Sequence, residues 1–136
     1  MLSQHTLAQY DAQVRTGIEA FKATMDSGRE ALNALLLING GAVVSLLGFV
    51  GAMAAKPNGL AVAGSLRAPL LRFGSGVLLG ALAFGVRYLS QAVYAVKMEK
   101  TGHALNALSI SLAVAGYVVF GWGLVGASEA IGIKGP

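Results

Sequence analysis

The sequence predicts an all-α integral membrane protein, a bundle of three transmembrane helices preceded by an amphipathic polar helix. Three observations predict it. Charged residues make up only 12% of 136 residues, against about a quarter in a soluble domain. Apolar residues reach 55%, and a chain this short cannot bury them all in a water-soluble core. The mean hydropathy of +0.66 is concentrated in long uncharged runs rather than spread evenly.

The first element, residues 1–30, is polar but periodic. Leu7, Val14, Ile18, Phe21 and Met25 recur at three- and four-residue steps, with Asp11 the polar intruder, which is a helical stripe. Asp11 with Arg15, Arg15 with Glu19, and Asp26 with Arg29 are spaced to meet on one helix surface. The stripe suits packing on its own protein, a membrane surface or a short self-associating coiled coil. Asp11, Glu19, Asp26 and Glu30 offset Arg15, Lys22 and Arg29, so the helix lacks the basic face that anionic lipid attracts.

From Ala31 to Ala55 no residue is charged, and about 20 apolar residues suffice to cross a bilayer. Lys56-Pro57-Asn58-Gly59 stops this first span with a charge, a proline and turn formers. The stretch Leu60–Leu71 is short and interrupted by Arg67 and Pro69; it reads as an interfacial or re-entrant piece. A second span is expected at about 73–96 and a third at about 105–127, separated by a loop containing Lys97, Glu99, Lys100 and His103. Residues 128–136 form a short tail. The three spans, 31–127, make one transmembrane domain.

An odd number of spans places the termini on opposite faces. Basic residues are nearly balanced between the two sides, so the positive-inside rule decides little; a charged helix ahead of the first span favours a cytoplasmic N-terminus. The first long apolar run begins too late for a cleavable leader, and the first span is expected to act as a retained insertion signal.

The spans carry small residues at packing intervals: Gly41 and Gly48 in the first, Gly76, Gly80 and Gly85 in the second, Gly116 and Gly123 in the third. Such spacing lets helix backbones approach closely, within one chain or between copies. Counting inward from the span ends collects Asn39, Arg87, Ser109 and Ser111 in one half of the membrane, with Gln91 shallower on the same side. Arg87 is the costly member, since a charge at depth must snorkel, meet water or find partners. Facing inward, it would line a polar vestibule that favours anions.

Chemistry is weakly signalled. There is no cysteine, and His5 and His103 lie far apart, so no metal site is expected. No HExxH, nucleophile elbow or phosphate loop occurs, and the basic residues form no stripe for nucleic acid. The expectation is a non-enzyme without a cofactor, whose partners are the lipid bilayer and further copies of itself, with another membrane protein as the alternative.

The run GREALNALLLINGGAVVSLLGF, residues 28–49, followed by two further spans, resembles a group of small uncharacterised proteobacterial three-span membrane proteins. That resemblance implies a bacterial inner-membrane setting and supplies no chemistry. The layout also looks like that of phage holins by architecture alone, from which the long polar first helix departs. The functional expectation is pore- or channel-like membrane permeabilisation, of holin or defence-effector type. The alternatives are a structural or accessory subunit of a larger membrane complex, or an immunity or exclusion protein.

Overall fold

The computed structural model describes residues 4–57 and 59–132, so that Ser3, Asn58 and the tail around Lys134 lie outside the described residues. Four helices follow one another: α1 Gln4–Ala54, α2 Gly59–Ser65, α3 Arg67–Ala95 and α4 Glu99–Ala130. Three of them, α1, α3 and α4, are long and apolar enough to cross a membrane. The chain is all-helical as expected. The polar helix and the first span are one continuous helix, because nothing at Ala31 breaks it, and the backbone stays helical through Asn39-Gly40-Gly41.

The chain divides into two units, residues 1–31 and 32–136. In the first, Leu7, Val14, Ile18 and Phe21 are exposed. Thr16, Thr24 and Ser27 turn their hydroxyls back onto the carbonyls of Ala12, Ala20 and Ala23 of the same helix.

The second unit is built inside out. Its buried positions are dominated by small residues, while Leu37, Val44, Leu78, Val118 and Trp122 are exposed. On α4 the buried residues are Gly102, Ser109, Gly116 and Gly123, one every seven. On α3 they are Pro69, Phe73, Gly76, Gly80, Ala83 and Ser90, alternating four- and three-residue steps until Arg87, a half-buried member of the same stripe. Seven-residue seams of this kind hold two helices side by side over many turns. Phe73 closes one end of the seam, its ring 5.5 Å from that of Phe120 and against Gly123.

The connections follow from local chemistry. α1 stops before Lys56 and Pro57, and Gly59 abuts the Met53 carbonyl so closely that a side chain has no room there. α3 begins six residues earlier than the expected second span, at Arg67 rather than 73. Pro69 does not break it, because a first-turn residue needs no N–H partner within the helix. Leu60–Leu71 is therefore divided between α2 and the first turn of α3. Between α3 and α4 the chain reverses at Lys97, which takes φ 61°.

Candidate functional site

The polar side chains of the second unit fall into three places. Toward the α3–α4 turn, Ser90 Oγ donates to the Gly102 carbonyl at 2.8 Å, and Ser109 Oγ donates to the Ala83 carbonyl at 2.8 Å. Each helix thus gives one hydroxyl to the backbone of the other. Both serines are buried, and small residues at the receiving positions leave the carbonyls accessible. Nearer the turn, the Tyr94 hydroxyl and His103 Nδ1 lie 2.8 Å apart, with the Tyr94 ring over Gly102.

Farther along, Asn39 is wholly buried against Gly76. Its Nδ2 donates to the Leu35 carbonyl at 2.9 Å, and its Oδ1 has no hydrogen-bond partner. A side chain at Gly76 would overlap that carbonyl, so what the glycine presents there is a Cα–H, a weak donor.

The same contacts fix how α1 is seated. Asn39 faces Gly76, while Leu35 and Leu36 meet Gly80, and Leu35 also meets Gly116. Arg87 lies eleven residues from Gly76 along α3, about 16 Å at the helical rise. It stands seven residues beyond Gly80, whereas Leu32 is only three beyond Leu35. Arg87 is therefore farther out than Leu32 and is not brought to Asn39. Of the predicted residues, Gln91 is one turn from Arg87 on α3 and Ser109, bonded to Ala83, is one turn from it in level on α4. Gln91 is exposed, as is Ser111, whose hydroxyl returns to the Ala107 carbonyl of its own helix. The five residues expected to form one polar layer thus occupy different levels and faces.

The packing glycines divide as well. Gly76, Gly80, Gly116 and Gly123 sit at crossings within the chain. Gly41, Gly48 and Gly85 face open space. On α1 the exposed Gly41, Ser45, Gly48 and Ala52 form a ridge on the side opposite Leu32, Leu35 and Asn39, as helical periodicity dictates.

The third place was not anticipated. Arg72 Nη1 donates to the Trp122 carbonyl at 3.2 Å and occupies the space a side chain at Gly126 would need. One turn past Gly76, Arg72 is level with about Val43, twelve residues from either end of the uncharged run 31–55. On α3 itself Arg72 stands five residues from the start of the helix, at the end of the hairpin away from the α3–α4 turn. The signal lay in the sequence, since Gly126 and Trp122 are four apart on α4, but a second span beginning at 73 left Arg72 outside.

Among the described residues no three His, Asp or Glu side chains gather in a way that holds a metal ion. An open depression of about 380 Å³ lies over Lys97–Thr101, bounded by surface side chains.

No family, no curated protein and no solved structure matches this chain.

Proposed function

We propose that this protein is a non-enzymatic, self-associating membrane protein that permeabilises the bilayer in a pore- or channel-like manner, of holin or defence-effector type. The observation that carries the proposal is the outward ridge Gly41, Ser45, Gly48 and Ala52 of α1. The chain's own packing is completed by other glycines, so this ridge remains for a helix of another copy. In lipid, where apolar surface gains nothing by hiding, close backbone approach is what favours association. The resemblance of residues 28–49 to small proteobacterial membrane proteins supports a bacterial inner-membrane setting, and the charged helix ahead of the first span supports a cytoplasmic N-terminus.

Expression should dissipate ion gradients in cells or leak a dye from liposomes, and mass measurement in native-like lipid should return a defined oligomer. Gly48→Leu, which nothing in the chain opposes, should reduce both the oligomer and the leak at least several-fold. An undisturbed gradient at high expression, or a monomer in lipid, removes the proposal.

The exposed stripe Leu7, Val14, Ile18 and Phe21 favours a second reading, an accessory or immunity protein that docks on a larger partner. Stoichiometric co-purification of another membrane protein in mild detergent would support it over the first.

A further inference from the structure

We infer that Arg72 is a phosphate-binding residue, which fastens a bilayer phospholipid in the notch that Gly126 leaves on α4. This is independent of permeabilisation and needs only that α3 and α4 lie in lipid.

A guanidinium carries five N–H donors in a planar fork. In Arg72 one of them is engaged, by the Trp122 carbonyl at 3.2 Å. No carboxylate among the described residues is within ion-pair reach of it. The side chain runs from the second turn of α3 toward Gly126, with the Pro69 ring 3.6 Å from where a Gly126 side chain would begin. That is the direction of the end where α1 and α4 finish and α3 starts. The arginine is thus half-buried, aimed at one membrane face and short of a counter-charge.

Its surroundings choose the anion's source. Leu71, Trp122 and Val125 are exposed and flank the notch in sequence, an apolar border that suits a lipid carrying a phosphate better than a free anion in water. At the same end Lys56, Arg67 and Arg72 face one carboxylate, Glu129, leaving a local excess of positive charge. A phosphodiester offers two oxygens at the spacing of the guanidinium fork, and Trp122 supplies the amphipathic ring favoured near headgroups. Gly126 is what makes the arrangement possible, because any side chain there would displace the guanidinium.

The test uses the full chain in nanodiscs of mixed phosphatidylglycerol and phosphatidylcholine, with retained lipid counted by native mass spectrometry after gentle release. The unaltered protein should keep about one phospholipid per chain. Arg72→Ala should lower that retention at least tenfold, and Arg72→Lys, a point charge without the fork, should retain an intermediate amount. Gly126→Ala should lower it with Arg72 still present, which guards against a folding defect peculiar to Arg72→Ala; circular dichroism checks helicity in both. Lys100→Ala, at the opposite end, should retain lipid as the parent does. Retention by the Arg72→Ala and Gly126→Ala proteins equal to that of the unaltered protein would overturn the assignment. So would displacement of the lipid by millimolar inorganic phosphate, which would identify a site for a free anion.

Discussion

At the scale of single residues, Asn39 and Gly76 form a pair whose substitutions should have opposite signs. Asn39 is buried with its Oδ1 unpartnered, and an unsatisfied buried polar group costs about 1–3 kcal/mol. Leucine has nearly the same branched shape and no carbonyl. Asn39→Leu is therefore expected to stabilise the bundle by about 1 kcal/mol, read as a higher midpoint in thermal unfolding in detergent. Gly76→Ala places a methyl group on the Asn39 side chain and should destabilise by about 1–3 kcal/mol, the usual cost of overpacking. A destabilised Asn39→Leu protein would mean that Oδ1 has a partner in the membrane. The residue scale is also where the sequence was least legible. Depth along a span can be counted, but the side on which a residue emerges advances by about 100° per residue. Ser109 and Ser111 are two residues apart, so they cannot share a face, and only Ser109 enters the seam. Ser90 and Gln91, adjacent in depth, divide in the same way: Ser90 is buried and Gln91 exposed.

At the scale of elements, α3 and α4 are a clamped hairpin. Ser90 and Ser109 bond reciprocally across it, and Arg72 ties its far end. Interhelical hydrogen bonds of this kind contribute about 0.6 kcal/mol each in membranes, with a maximum near 1.7. Ser90→Ala and Ser109→Ala should each lower stability by roughly that amount, and the double substitution should be additive within error, since the bonds have no atoms in common. Thermal unfolding of the four proteins completes that cycle, and a strong coupling would show that the two bonds form one network. The element boundaries show what the sequence could convey. The start of the first span at Ala31 leaves no mark on a helix that runs unbroken from Gln4. Its end was legible, because the Lys56-Pro57 pair is a local signal and α1 stops at Ala54 just before it. The start of α3 was not, since Pro69 and two arginines resemble breakers when written in a row. Pro69 lacks a donor only where a first turn does not need one, and Arg72 obtains its partner from Trp122, 50 residues away in sequence. Both solutions depend on tertiary placement. The level of α1 was likewise hidden: seating Leu35 between Gly80 and Gly116 is a choice among several glycines that composition does not rank.

At the scale of the whole molecule, the membrane reading rests on where the large apolar side chains are. In a water-soluble bundle Leu37, Val44, Leu78 and Val118 would fill the core; here they are exposed, and the buried positions are mostly glycine and serine around Leu32, Leu35, Leu66 and Phe73. This inversion is the arrangement expected when lipid replaces water as the solvent outside. It has a consequence that no local substitution tests. Three crossings would put the two ends on opposite faces, and the short α2, seven residues long, covers about 10 Å at the helical rise and cannot cross by itself. A reporter active only in the cytoplasm, fused to the N-terminus, and one active only outside, fused to the C-terminus, should both be active with the N-terminus inside. A cysteine introduced at Lys97, in a chain that has none, should be shielded from an impermeant thiol reagent in intact cells, while one introduced at Lys56 should be labelled. Labelling of both positions from outside would leave α3 without a crossing. The Arg72 site would then face water, and the outward ridge of α1 would lose the lipid environment that makes its glycines adhesive.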